Sequence, residues 1–140
     1  MEKPAMPVYN VPKRGCFEMW KLLCVGAGGF LGSVCRYLLG LLPVGTSGGF
    51  PVKTWGINIL GAFVIGMVTT IAARNQALDS GWTLFLKAGV CGGFTTFSTF
   101  AFETADLLQR GSTGTALVYA LSSMVLGVLA VFAASWLFRA

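Results

Sequence analysis

The sequence predicts an all-α integral membrane protein with four transmembrane helices in a single membrane domain. Hydrophobic residues make up 55% of the 140 residues, above the roughly 45–50% of an average soluble domain. Charged residues account for only 11%, against about a quarter in soluble domains. The apolar residues form four long runs with short polar turns between them. This arrangement leaves no room for a separate soluble domain.

The first 18 residues are polar, and we expect them to form a flexible tail. Pro4, Pro7 and Pro12 would interrupt any helix in this segment, because proline lacks the backbone N–H that a helix needs. No long apolar stretch is followed by a cleavage site, so we expect no removable signal peptide. The membrane domain is therefore predicted at residues 19–140.

The four spans are predicted at about residues 20–42, 54–73, 82–108 and 113–138. Pro43 ends the first run, and the second has no charged residue along its length. About 20 residues suffice to cross a hydrocarbon core of about 30 Å, because a helix rises 1.5 Å per residue. The fourth run is also uncharged, whereas the third contains Lys87, Glu103 and Asp106.

Basic residues favour one side of the membrane. The short turns make neighbouring helices antiparallel, which places both termini and the turn after the second span on the same side. That side carries Lys3, Lys13, Arg14, Lys21, Arg74 and Arg139, and the opposite side carries Lys53 and Arg110. By the positive-inside rule, we expect both termini to face the cytoplasm.

Residue usage excludes several classes of protein. The chain has no histidine, so a Ser-His-Asp or Cys-His catalytic centre is impossible. The four cysteines show no CxxC pair and no zinc-like spacing. The Lys and Arg residues are not clustered as a nucleic-acid-binding face requires. We therefore expect neither an enzyme nor a nucleic-acid partner, but a protein that contacts the lipid bilayer.

Small residues four positions apart recur on three of the spans. The pairs are Gly28 with Gly32, Ala62 with Gly66, and Ser123 with Gly127. Such faces let helix backbones approach closely, within one chain or between subunits. Three pairs in so short a chain favour a tightly packed oligomer.

The third span contains the sequence GGFTTFSTF at residues 92–100, which predicts a broken helix. Two adjacent glycines and four hydroxyl residues disfavour a continuous helix. Irregular backbone inside a membrane is tolerated only where protein or water surrounds it. At such breaks, exposed carbonyl and amide groups can bind ions. Hydroxyls and the positive edges of Phe rings suit an anion, whereas freed carbonyls suit sodium.

Other polar residues interrupt the apolar runs, and each has two interpretations. Asn58 either cross-links two helices or contacts an ion. Arg36 either extends to the membrane surface or attracts anions at a vestibule. Glu103 follows the predicted break by one turn. Tyr119 and Ser123 lie one turn apart on the fourth span, several residues inside it.

At these residues the chain closely resembles the Fluc/CrcB family of bacterial fluoride channels. The order of the motifs and the four-span layout agree with that family from Trp20 onward. The residues that carry the resemblance are Gly28-Gly29-Phe30-Leu31-Gly32 with Arg36-Tyr37, Thr54 through Asn58 to Gly61, and Gly92 to Phe100 with Glu103. The string in the third span is the most specific of these.

The resemblance implies an antiparallel homodimer of dual topology in a bacterial inner (plasma) membrane, with two fluoride pores. A structural sodium ion would be held at the dimer centre by the backbone carbonyls of Gly92 and Thr95. Phe97 and Phe100 would face fluoride edge-on, and Asn58 would donate a hydrogen bond to it. Fluoride would pass polar residues along the pore, namely Ser98, Thr99, Glu103, Tyr119 and Ser123.

The resemblance also implies that the channel exports cytoplasmic fluoride passively and so protects the cell from its toxicity. Two departures are visible. The basic tail strengthens a bias towards one orientation, which leaves a paired chain of opposite topology as an alternative. Gly127 stands where several relatives have a hydroxyl, one turn beyond Ser123.

Two functions from other classes compete with a channel. A small proton-coupled multidrug transporter is also built from four helices per subunit, but it needs a titratable carboxylate deep in a span. The first two spans contain no such carboxylate, and Glu103 in the third span is the only remote candidate for this role. A membrane scaffold subunit would explain the small-residue faces, but not the hydroxyl-rich third span.

Overall fold

The structure is a computed structural model that describes residues 19–44, 49–74 and 80–139. Within these ranges the regular secondary structure is helical and contains no β-strand, which confirms the all-α prediction. The proposed tail at residues 1–18 lies outside the described residues. Three helices in the described ranges are long and apolar enough to cross a membrane.

The first two of these helices are α1 (Met19–Gly40) and α2 (Val52–Arg74). Helix α1 ends two residues before the predicted boundary, and Lys53 Nζ donates to the Gly40 carbonyl oxygen at 2.8 Å. A cation is favourable there because the last carbonyls of a helix lack backbone donors. Pro51 directly precedes α2, in keeping with the preference for proline where a helix begins.

The third predicted span consists of several consecutive pieces. Helix α3 begins as an α-helix at Ser80–Leu84, continues as a π-helix at Phe85–Cys91 and ends with Gly92–Phe94. The backbone is then extended at two residues, Thr95 (φ −80°, ψ 157°) and Thr96 (φ −148°, ψ 111°). Helix α4 follows at Phe97–Gln109. We call the two extended residues, Thr95 and Thr96, the interruption.

The fourth predicted span is one continuous helix, α5 (Thr113–Leu137). The turn that separates it from α4 contains Gly111, whose φ of 76° lies in the left-handed region. Glycine adopts this conformation without a Cβ clash, and it commonly follows the last residues of a helix. The short turn makes α4 and α5 antiparallel neighbours.

Helix α1 packs on α3 through glycines that bring the two backbones together. A Cβ atom at Gly28 would collide with the Phe85 carbonyl oxygen, and one at Gly32 with the Val90 carbonyl oxygen. The close packing runs along the π-helical part of α3 and fixes the position of the interruption that follows it. The first small-residue pair therefore packs within the chain.

Helix α2 packs on α5 through Gly66, where a Cβ atom would lie 2.8 Å from the Val131 carbonyl oxygen. Another glycine of α2, Gly61, contacts the interruption, because a Cβ atom there would meet the Thr95 methyl group. A Cβ atom at Gly127, in contrast, would have no neighbouring atom within 4 Å. Two small-residue pairs thus contribute to packing within the chain, and Gly127 lies on an open face of α5.

Candidate functional site

The interruption is held in place by Asn58 of α2. The Asn58 side chain donates from Nδ2 to the Thr96 carbonyl oxygen at 3.2 Å and accepts at Oδ1 from the Thr96 N–H at 2.9 Å. These reciprocal bonds satisfy both backbone groups of one extended residue. Asn58 therefore links two helices, as one of its two interpretations predicts. Its amide has a second N–H donor that this pair does not use.

Three hydroxyl groups cluster where α4 begins. Thr96 Oγ1 caps the helix by accepting from the Thr99 N–H at 3.2 Å, and it donates to Thr99 Oγ1 at 3.0 Å. Ser98 Oγ lies 3.3 Å from Thr96 Oγ1 and is exposed. A threonine at this position is a favourable cap. The sequence thus places a small group of hydrogen-bonding hydroxyls at a helix N-terminus, where the helix dipole is positive.

The interruption also deprives two carbonyls of the backbone N–H donors that they would have in a continuous helix. The Thr96 N–H would otherwise bond to the Gly92 carbonyl, but it donates to Asn58. The Thr99 N–H would otherwise bond to the Thr95 carbonyl, but it donates to Thr96 Oγ1. Gly92 and Thr95 are the residues whose carbonyls the resemblance assigns to sodium. Hard cations prefer such oxygen ligands, so the residues present fit the implied ion.

Arg36 of α1 contacts the carbonyl between these two. Its Nε donates to the Gly93 carbonyl oxygen at 3.1 Å, and Ser33 Oγ lies 3.5 Å from the same oxygen. The guanidinium therefore supports the last turn of α3, where the carbonyls lack helical donors. The expected vestibule role of Arg36 stays a prediction.

A cavity of about 440 Å³, which we call the central groove, opens beside the interruption. Asn58 and Ser123 line it together with Phe97 and Phe100. The Phe97 side chain is 79% exposed, and its ring centre lies 5.8 Å from that of Phe100. The other lining residues are Gly61, Ala62, Ile65, Lys87, Cys91, Gly92, Thr95, Thr96 and Met124.

Glu103 belongs to a second cluster, one helical turn beyond Phe100. Its carboxylate accepts from Thr54 Oγ1 at 2.8 Å and from the Tyr119 hydroxyl at 2.7 Å. Tyr119 is fully buried, and its ring centre lies 5.2 Å from that of Phe100. Phe100 therefore separates the central groove from the Glu103 cluster while contacting both.

Glu103 and Thr54 open onto another cavity, of about 770 Å³, which we call the loop-side cavity. Its charged lining residues besides Glu103 are Lys53, Asp106 and Arg110. Asp106 and Arg110 form an ion pair at 2.8 Å. The two cavities lie at opposite ends of the row formed by Phe97, Phe100 and the Glu103 cluster.

The structure thus divides the expected site residues between the central groove and the Glu103 cluster. Six are beside the groove or its hydroxyl cluster, namely Asn58, Phe97, Ser98, Thr99, Phe100 and Ser123. Tyr119 instead points to Glu103, and Ser123 donates to the Tyr119 carbonyl at 2.6 Å. Thr54 was not expected in the site. Its spacing of four residues from Asn58 is the signal that places both on one face of α2.

The fold and site define a small helical membrane protein in which polar side chains and two cavities lie along an interrupted helix. The family described as CrcB-like protein, Camphor Resistance (CrcB), matches residues 23–135. The chain belongs to this family, which confirms the resemblance recognised in the sequence.

Several relatives are similar along most of their length. A relative from Chlorobaculum tepidum is 41% identical over 85% of this chain and 94% of its own. One from Thermus thermophilus is 47% identical over 81% of this chain and 91% of its own. One from Phenylobacterium zucineum is 44% identical over 86% and 97%, respectively. All three are named as fluoride-specific ion channels.

These relatives agree with the apolar helices of the structure. The chain is a multi-pass membrane protein, and the named members of its family are channels rather than enzymes. The sequence-based expectation of a non-enzymatic membrane protein is confirmed.

Proposed function

We propose that this protein is a fluoride-selective channel that passes fluoride between the central groove and the loop-side cavity. The observation that carries the proposal is the hydroxyl cluster of Thr96, Ser98 and Thr99 beside the interruption and the groove. The names of the relatives, which specify fluoride, support the choice of ion.

The chemistry of the groove suits a small anion. Fluoride is strongly hydrated, so it enters a narrow path only where other donors replace its water. The second amide N–H of Asn58 and the exposed Ser98 hydroxyl can donate to it. Phenyl edges of Phe97 and Phe100 add weak attraction through the ring quadrupole. Several weak sites in a row allow the ion to enter and also to leave.

At the far end of the row, the Glu103 carboxylate accepts hydrogen bonds from the hydroxyls of Thr54 and Tyr119. An anion that reaches Phe100 meets a carboxylate of like charge, which opposes tight binding. For conduction, a donor must be shared between the ion and the carboxylate. We propose that Thr54 and Tyr119 share their hydroxyl hydrogens in this way as fluoride passes.

The proposed functional unit is an antiparallel homodimer. The high exposure of Phe97 and the open groove fit a second copy that closes the pathway. Large apolar side chains along α5 add an uncovered face for subunit or lipid contact.

Light scattering of the protein in detergent is expected to give the mass of two chains. Labelling of one engineered cysteine from both sides of the membrane would reveal dual topology. A monomer that conducts, or labelling from one side alone, would contradict the proposed antiparallel homodimer.

A structural sodium ion is the further component that we propose for the dimer. The carbonyls of Gly92 and Thr95 would hold it, and a bound cation would stabilise the two interrupted helices against each other. Replacing sodium with N-methylglucammonium is expected to lower the melting temperature of the purified dimer. An unchanged melting temperature would contradict the proposed structural sodium ion.

The proposed physiological role is export of fluoride from a bacterial cytoplasm, with resistance to fluoride as the result. A membrane potential that is negative inside favours anion exit by about 2.3 kcal/mol per 100 mV. No other energy source is therefore needed. Expression in a fluoride-sensitive bacterium is expected to restore growth in fluoride.

Ion efflux from liposomes tests the channel directly. Purified protein in vesicles loaded with fluoride and chloride is expected to release fluoride rapidly and retain chloride. The release is followed with an ion-selective electrode, and empty vesicles supply the background. Dimeric, folded protein that releases no fluoride would overturn the proposed function.

A further inference from the structure

Lys87 places a positive charge in the central groove, and its role is not explained by packing. It lies on the π-helical part of α3, in Phe85–Cys91, and its side chain is exposed. The opposite side of the same segment is tightly packed, since Gly89 is buried against Gly28 of α1. The packing therefore fixes the segment and leaves the lysine turned towards the groove.

The described residues supply no carboxylate to pair with this lysine. None of the residues that line the groove is acidic. The two acidic residues in the described ranges are engaged elsewhere, Glu103 with Thr54 and Tyr119, and Asp106 with Arg110. A positive charge in apolar surroundings is costly unless water or an anion accompanies it. The groove therefore favours a mobile anion as the partner of the lysine.

The position of Lys87 also matches a pathway that starts in this groove. Asn58 and Thr96 line the same cavity, as do Phe97 and Phe100, which lead on to Glu103. The charge and the hydrogen-bond donors thus line the same cavity. An ammonium group is a compact, strongly hydrated charge on a flexible stem, so it can raise the local anion concentration without holding the anion in a fixed geometry.

We propose that Lys87 is an anion-concentrating residue at the entrance of the pathway, which rests on the proposed function of the chain as a fluoride channel. The lysine attracts fluoride into the groove, and the donors beside the interruption then replace its water. A charge that acts at a distance raises the rate of entry, and salt weakens this effect. The ion that it attracts need not be fluoride, so selectivity belongs to the residues deeper in the pathway.

The test compares fluoride efflux from liposomes for the wild type and for Lys87→Gln, Lys87→Arg and Lys87→Glu. Rates are measured at a fluoride concentration well below saturation and at several concentrations of a non-permeant salt. At low ionic strength we expect Lys87→Gln to reduce the rate about three- to tenfold, because surface charge changes association rates by such factors. We expect Lys87→Glu to reduce the rate further and Lys87→Arg to retain it. The differences should shrink as salt is added.

A matched control is Arg139→Gln, which removes one positive charge at the exposed end of α5, outside the groove. Its efflux rate is expected to equal that of the wild type. Equal rates for Lys87→Gln and the wild type at low salt would overturn the inference and leave the channel intact. A reduction that does not change with salt would also overturn it, because it would indicate altered packing.

The wild type alone offers a second measurement, which does not depend on the folding of any variant. Its rate at low fluoride is expected to fall as the non-permeant salt rises, and a rate independent of salt would contradict the inference. Absence of fluoride flux in the folded wild-type dimer would instead overturn the proposed function itself.

Discussion

The central groove and the loop-side cavity differ in charge, although both border the row formed by Phe97, Phe100 and the Glu103 cluster. One lysine and no acidic residue line the groove among the described residues. The loop-side cavity has two basic residues, Lys53 and Arg110, and two acidic ones, Glu103 and Asp106. The side chains that line the groove therefore carry a net positive charge, whereas the charges of the loop-side cavity are balanced.

The two regions also use their hydrogen-bond donors differently. Beside the groove, the Ser98 hydroxyl is exposed and Asn58 has a second amide N–H beyond its bond to Thr96. Beside the loop-side cavity, the hydroxyls of Thr54 and Tyr119 are bonded to Glu103. In the proposed channel, an anion therefore meets available donors at the groove and donors shared with a carboxylate beside Glu103.

The largest effect is expected from a change that displaces the groove itself. Gly32→Ala adds a Cβ atom that collides with the Val90 carbonyl oxygen, beneath the end of α3. Because the obstructing atoms belong to the backbone, we expect a loss of about 1–3 kcal/mol of stability and little dimeric protein. Thermal unfolding followed by size-exclusion chromatography measures the effect.

Gly29→Ala is the matched control, since a Cβ atom at Gly29 has no neighbour within 4 Å. It adds the same methyl group to the same helix and should leave the melting temperature nearly unchanged. Equal stability of the two variants would show that α1 and α3 do not pack as described.

A large effect on transport is expected from Asn58→Asp. The carboxylate still accepts from the Thr96 N–H, but it cannot donate to the Thr96 carbonyl or to an ion, and it places a negative charge in the groove. A barrier increase of about 2.8 kcal/mol corresponds to a hundredfold slower flux, and we expect a loss of at least this size. Fluoride efflux from liposomes gives the value.

Thr70→Val on the same helix serves as its control. The Thr70 hydroxyl bonds to the Gly66 carbonyl of its own helix and lines neither cavity. Its flux should match that of the wild type. Wild-type flux in folded Asn58→Asp would exclude Asn58 from the pathway.

A smaller effect is expected from Glu103→Gln on the other side of Phe100. The amide has one oxygen where the carboxylate has two, so the hydroxyl hydrogen of either Thr54 or Tyr119 loses its acceptor. Flux should fall by about tenfold, the equivalent of about 1.4 kcal/mol, while selectivity for fluoride over chloride is retained. A proton-coupled carrier would instead lose all coupled transport and show no passive fluoride flux.

The sequence was sufficient for the helical class, and the GGFTTFSTF string marks the segment in which the structure has its interruption. Long uncharged runs and the GGFTTFSTF string depend on local residue chemistry, which can be read without coordinates. The partners of the polar side chains could not be predicted in this way. Thr54 and Glu103 are 49 residues apart, and only the packing of α2 against α4 brings them together.

The π-helical stretch of α3 was likewise not predicted. Such segments depend on how a helix adjusts to its neighbours, and no residue type marks them reliably. Here the stretch lies against the glycines of α1, and it fixes which residues of α3 face the groove. The side on which Lys87 lies could therefore not be deduced from helical periodicity, which assumes 3.6 residues per turn.

The reversal potential of the purified protein in a planar bilayer tests the central claim most directly. Both solutions contain the same chloride concentration, and fluoride differs tenfold between them. A passive fluoride-selective channel should carry a current that reverses about 59 mV from zero, the equilibrium potential of a monovalent ion at this gradient. Reversal near zero, or no current from folded dimers, would contradict selective fluoride conduction through this protein.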